Sequence, residues 1–201
     1  MANYRTSRIV PTVLTIIIII VAIAGLVALG RLIFSGGGSS NSAEQIDMSQ
    51  QNLLDTTANR AVSMTVRGPI VADEDFRSYR IIVSPSSRTF EAFTGYLDQS
   101  TARQVLPNNT SAYSQFVNAL DKANLVKGTP FEGDKNNVLG ICATGKVYEF
   151  KVLNGETADE MLWTSTCSGS SGSLRASVAQ LSRLFLDQIP EGSDITASLK
   201  L

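Results

Sequence analysis

From Ile9 to Gly30 the chain runs 22 residues without a charge, and nothing else in it narrows the structural options as much. The run contains the isoleucines Ile16 to Ile20, followed by Val21, Ala22 and Ile23. At about 1.5 Å rise per residue, a helix of this length covers the ~30 Å hydrocarbon core of a bilayer. Pro11 lies near the start, where a helix tolerates proline. Arg5 and Arg8 precede the run, Arg31 follows it, and residues 1–34 hold no acid. Two arginines against one predict a cytoplasmic N-terminus and an extracytoplasmic remainder, a single-pass arrangement in the cell membrane. The first expected partner is therefore the cytoplasmic membrane, through residues 9–30. A cleaved signal peptide is the alternative, with Ala28-Leu29-Gly30 as a small-x-small site, although its apolar region would usually be ~7–15 residues. Both readings export the rest of the chain.

Ser35-Gly36-Gly37-Gly38-Ser39-Ser40-Asn41-Ser42 has the composition of a flexible tether. The chain thus divides into a cytoplasmic stub and membrane helix (1–34), a Gly/Ser linker (35–43) and an extracytoplasmic domain (44–201). About 160 residues make one domain with a core of its own.

Several kinds of chemistry are excluded by what is missing. There is no histidine, so Ser-His-Asp and Cys-His catalysis and the commonest zinc sites are out. After residue 34 there are 14 basic and 18 acidic residues, net −4, which argues against nucleic acid as a partner. Gly140-Ile141-Cys142-Ala143-Thr144-Gly145-Lys146 resembles a phosphate loop, but Val147 stands where Ser or Thr must hold magnesium, and a strand pattern follows. No nucleotide is expected. Asp73-Glu74-Asp75 reads as a solvated turn rather than a calcium loop. Ser168 to Arg175 reads as a loop with Ser173 capping the last helix, rather than an anion site. No cofactor and no metal are expected.

The remaining pattern mixes strands and helices. Residues 44–58 suit a short helix. Val62, Met64 and Val66 alternate with polar neighbours, as do Tyr79, Ile81 and Val83, and Thr89 to Tyr96 returns after the Ser84-Pro85-Ser86-Ser87 turn. Tyr113, Phe116, Val117, Leu120 and Ala123 form one stripe of a helix over 111–125, capped by Asn109 or Thr110. Tyr148, Phe150 and Val152 begin a hairpin whose turn signal is Asn154-Gly155. A last helix runs from Ser173 to about 188, with Leu174, Val178, Leu181, Leu184 and Phe185 inward, and Ile195 to Leu201 has no clear state. The expected fold class is α+β, an antiparallel sheet packed against two helices.

Cys142 and Cys167 are the only cysteines, 12 positions before Asn154 and 12 after Gly155. In an unbulged hairpin centred on that turn they oppose each other as a non-hydrogen-bonded pair, ~4.5 Å apart at Cα. The same register puts Met161 and Trp163 on the core face with Phe150. It pairs Glu149 with Glu160 on the solvent face. A Cys142–Cys167 disulfide is expected, as suits an exported domain; the Ala143-Thr144-Gly145 stretch, a turn candidate, is the threat to that register.

Ser63 to Ile70, Cys142-Ala143-Thr144-Gly145, Leu162-Trp163-Thr164-Ser165-Thr166-Cys167 and Leu184 to Pro190 together resemble uncharacterised single-pass envelope proteins of candidate-phylum bacteria of the Saccharibacteria type. That resemblance covers most of the chain and implies no activity. A fainter similarity, in element order and in Tyr148-x-Phe150-x-Val152, is to emfourin-type protease inhibitors. The leading expectation is a membrane-anchored, non-catalytic module that binds a protein or envelope component. The alternatives are an inhibitor or accessory subunit of an exported enzyme, with the Asp98–Pro107 segment as its loop, and a small exported hydrolase using carboxylates.

Overall fold

The computed structural model describes residues 48–201. The predicted membrane segment, residues 9–30, and the linker, residues 35–43, lie outside the described residues. Among the described residues no helix is long and apolar enough to cross a membrane.

The domain is α+β. Six strands form one antiparallel sheet: β1 (Arg60–Arg67), β2 (Arg77–Val83), β3 (Ser87–Thr94), β4 (Gln99–Pro107), β5 (Val147–Asn154) and β6 (Thr157–Ser165). Their spatial order is β4-β3-β2-β1-β5-β6, so β1 sits inside the sheet between β2 and the later hairpin. Four helices accompany them: α1 (described over 48–54), α2 (Thr110–Lys122), α3 (Val178–Leu186) and α4 (Gly192–Ser198).

Period-two alternation sorts the strand residues onto two faces. One face carries Val62, Met64 and Val66, paired with Val83, Ile81 and Tyr79 on one side and Val152, Phe150 and Tyr148 on the other. Helices α2 and α3 cover this face. Tyr113, Phe116, Val117 and Leu120 of α2 are buried there with Leu181 and Phe185 of α3. Phe185 is the hub: Phe116 meets its ring edge-on at 5.2 Å and Phe150 meets it tilted at 5.9 Å. Asn109 caps α2, its side chain accepting the Ala112 N–H at 2.9 Å, and Asn124 with φ 63° takes the left-handed position after its end.

The structure corrects several expectations. Within Asp98–Pro107, residues Gln99–Pro107 are not a loop but β4, an exposed edge of the sheet, and Asp98, with φ 52°, belongs to the turn before it. The last helix starts at Val178 with Ser177 as its cap, not at Ser173. The tail after Pro190 coils into α4.

The hairpin register also differs. Asn154 pairs with Thr157, so the two-residue loop is Gly155-Glu156, one position later than expected. Only Gly155 has positive φ, 60°, the pattern of a type II′ turn with glycine first. Gly155 N–H also donates to Asn59 O at 2.8 Å, which ties the hairpin tip to the entrance of β1. A bulge at Asp159 then shifts the pairing again, so Phe150 faces Leu162 and Glu149 faces Trp163. Arg60 explains that bulge: its guanidinium pairs with Asp159 and, at 2.8 Å, with Asp55.

As a result Met161 and Trp163 lie on the face opposite Phe150. Trp163 is buried even so, in a second cluster with Val138, Cys142 and Val147. Residues 131–142 fold over this corner of the second face, and Phe131 meets the Trp163 ring edge-on at 5.8 Å. Glu149 and Glu160 do not oppose each other. They project from opposite faces, and both are buried.

Candidate functional site

The disulfide between Cys142 and Cys167 is present, with Cα atoms 5.6 Å apart. Neither cysteine is a strand residue, so the bond is not the cross-strand pair the spacing predicted. Regular pairing ends at Val147–Ser165. One further rung follows, Thr166 N–H to Lys146 O at 2.9 Å and Lys146 N–H to Thr166 Oγ1 at 2.8 Å. The chain then turns through Ala143-Thr144-Gly145. A Cβ at Gly145 would stand 2.2 Å from Thr166 Oγ1 and 3.0 Å from Cys142 Sγ, so only glycine lets the loop come this close. That turn takes up the register offset and still brings Cys142 onto Cys167.

The disulfide therefore pins the 131–145 segment across the second sheet face. Where the segment meets the ends of β1 and β2, it forms one wall of a groove of about 210 Å³. Leu139 and Ile141 stand on this wall; Ile70, Phe76 and Tyr96 stand on the other; Arg67 lines the groove between them. The Ile70 N–H donates to Ala143 O at 2.9 Å and joins the two walls.

The wall bearing Tyr96 is rigid. Its ring stacks on Phe76 at 4.4 Å, its hydroxyl accepts the Val71 N–H at 3.1 Å, and its own N–H donates to the Asp73 carboxylate at 2.7 Å. Asp73, the first of the three acids in the 73–75 turn, thus braces this wall. Of the groove's lining residues Ile70, Tyr96 and Leu139 are exposed, Leu139 by 66%; Val71 and Leu97, their neighbours in sequence, are exposed as well, Leu97 by 96%.

Arg67 has an unusual environment. Its side chain is 17% exposed, its Nη1 reaches Asp98 Oδ1 at 3.3 Å, and its Nε is buried with no hydrogen-bond partner. Ser78, its cross-strand neighbour, also has a buried hydroxyl without a partner. A guanidinium that has lost water on one edge and has one long ion pair on another is under-compensated.

Two other cavities are less distinctive. One, about 530 Å³, lies between Gly68, Pro69, Arg77 and Leu199–Leu201, and none of the buried orphaned polar atoms among the described residues lines it. The other, about 260 Å³, is lined by Tyr79, Tyr148, Lys146 and Ser182, with the Ser182 hydroxyl unpartnered. Burial pushes both phenols upward, which keeps them in the hydroxyl form.

Glu149 and Glu160 do not come together. Glu149 is ion-paired with Lys151 at 2.7 Å on one face, and Glu160 accepts the Ser49 hydroxyl at 2.7 Å on the other. Burial raises the Glu160 carboxyl above the usual carboxylate range, opposed by the Ser49 hydrogen bond. Among the described residues no three His, Cys, Asp or Glu side chains gather as metal ligands. Arg175 donates to Gly172 O at 3.0 Å, so the Gly/Ser loop uses its one arginine on its own backbone. Nothing in the sequence marks Arg67 and Leu139 as site residues; the sign of the groove there is the cost of leaving Ile70 and Leu139 exposed in turn regions.

Comparison with family models, with curated proteins and with solved structures returns no match for this chain.

Proposed function

We propose that this chain is a tethered docking module of the extracytoplasmic space, and that it binds a protein partner through the groove end of its sheet. The observation that carries the reading is the set of exposed apolar side chains that line the groove, Ile70, Tyr96 and Leu139, with Leu139 the most exposed of the three. Contiguous apolar exposure of this kind marks interaction surfaces. Its walls are held by a disulfide and by the Tyr96 contacts, so a partner meets a preformed surface and little ordering entropy is lost on binding. The location rests on the uncharged segment 9–30 and on the disulfide, which persists in oxidising compartments. A membrane tether raises the local concentration of such a module.

A second reading, an inhibitor of an exported enzyme, is favoured by one feature. The Asp98–Pro107 segment is extended and exposed, with a free edge along β4. Enzymes and receptors accept such edges by strand addition.

The test is photo-crosslinking from the full chain in its own cells, with a reactive side chain at Leu139, at Val105 on β4, or at Ser111 on α2. A discrete adduct from position 139 and none from 111 is the expected result. Adducts from 105 alone favour the inhibitor reading. Equal labelling from all three positions would sink both.

A further inference from the structure

The groove has more chemistry than an apolar patch requires, because it includes a cation. We infer that it is a receptor for the carboxylate terminus of a partner chain that ends in a large apolar residue, with Arg67 as the carboxylate-binding group. This rests on the docking reading in that both use the same surface.

Charge complementarity is the first argument. Among the described residues, the Arg67 side chain forms one hydrogen bond, the 3.3 Å contact from Nη1 to Asp98, while its Nε is buried without an acceptor. Asp98 is itself one-third exposed and approaches from the side of the β3–β4 turn. An anion arriving through the groove meets the remaining Nη donors. Guanidinium and carboxylate match in planar shape, and the pair is strongest where water is excluded.

Size is the second argument. A cavity of about 210 Å³ lies between a benzene-sized void (about 150 Å³) and the roughly 300 Å³ at which small-molecule pockets begin. It takes one leucine- or phenylalanine-sized side chain with its carboxylate. The lining agrees: Ile70, Phe76, Tyr96, Leu139 and Ile141 would contact the side chain, with Arg67 at its polar end. Capture of a chain terminus by a fixed polar group beside an apolar pocket is a known recognition mode.

The experiment titrates the full chain, with isotope-labelled isoleucine methyls, with acetyl-Gly-Gly-Phe bearing a free carboxylate, with the same peptide as its C-terminal amide, and with decanoate. Ile70 and Ile141 report on the groove and Ile82, elsewhere on the same sheet face, is the control. Saturable shifts at Ile70 and Ile141 with the acid, and at least about tenfold weaker binding of the amide, are expected from one charge-assisted contact. Arg67→Gln should abolish the preference for acid over amide. If that variant does not fold, Asp98→Asn is the second reporter: it removes a competing negative charge and should tighten binding of the acid but not of the amide. Equal binding of acid and amide overturns the inference, as does tighter binding of decanoate. An adduct from position 139 in cells together with no acid preference leaves the docking surface standing and rejects the carboxylate receptor alone.

Discussion

Ser173 closes the outer edge of β6 at Trp163. Its hydroxyl accepts the Trp163 N–H at 3.1 Å, and the Ser173 and Leu174 N–H groups donate to Trp163 O at 2.9 and 3.0 Å. Ser173 is 1% exposed, so this small side chain substitutes for a missing strand. Ser173→Ala leaves a buried N–H without an acceptor and should cost about 1–3 kcal/mol of unfolding free energy. Ser168→Ala, at an exposed position of the same loop, should stay within about 0.5 kcal/mol. Urea titration of the two variants side by side checks the contrast; equal midpoints would refute the edge-closing role.

The residue before it makes a sharper demand. Gly172 has φ 70°, and a Cβ there would lie 2.1 Å from Trp163 O. Gly172→Ala therefore combines a strained backbone with a collision against the carbonyl that Ser173 and Leu174 use. A loss above about 2 kcal/mol is expected, with the Trp163 emission moving to the red as the second cluster opens. An unshifted spectrum with native stability would show that the loop can step away from β6.

The disulfide closes a loop with a sequence separation of 25. The chain-entropy estimate for a loop of that length is roughly 3 kcal/mol. Cys142→Ser with Cys167→Ser should lower stability by about that amount relative to the oxidised chain. The loss should be uneven, because the bond pins residues 131–145 while β1, β2 and β3 are held by the main core. Hydrogen exchange should show the amides of 138–146 losing protection first. Uniform loss over the whole sheet would contradict the picture of a local staple.

These sites show how far the residues alone could be read. Strands β1, β2 and β3 and helix α2 were legible because the apolar residues of each fall on one face with a clean period, as in Val62-Ser63-Met64-Thr65-Val66, where Ser63 and Thr65 are polar although they too are buried. β4 was not, because its residues are mostly exposed and its sequence lacks an apolar alternation; its strand state comes from pairing with β3. The disulfide was legible but its geometry was not. Asn154-Gly155 is a turn signal for either of two adjacent registers, and a choice between them needs Asn59 and Arg60, which are remote in sequence. The groove was illegible because its walls come from 67–76, 96 and 138–142, and only the sheet order brings these together.

Glu160 gives the fold a pH dependence of definite sign. Burial raises its folded-state affinity for a proton above the ordinary value of 4.5, with the Ser49 hydrogen bond opposing. The folded state then binds more protons than the unfolded state in the interval between the two values. Stability must fall as pH rises through that interval and level off above it. Glu160→Gln removes the charge that burial disfavours and keeps an acceptor for Ser49. The variant should match the wild type at pH 3 and exceed it at pH 7. Thermal midpoints at the two pH values decide the matter, and a variant less stable at pH 7 would reverse the assigned sign.

The docking surface and the core predict opposite consequences for the loss of a large apolar side chain. Phe185 is fully buried and touches Phe116 and Phe150, so Phe185→Ala should cost about 3–5 kcal/mol, a transfer term plus a cavity. Leu97 and Leu139 lose little water contact on folding, since they are 96% and 66% exposed. Leu97→Ser and Leu139→Ser should change stability by no more than about 0.5 kcal/mol. If partner binding keeps these side chains in the chain, Leu139→Ser should remove the adduct formed from a reactive side chain at Ile70, which lines the same groove, while the denaturation midpoint stays in place. A fall in stability comparable to that of Phe185→Ala would mean that these leucines serve the fold, and the docking reading would lose its main support.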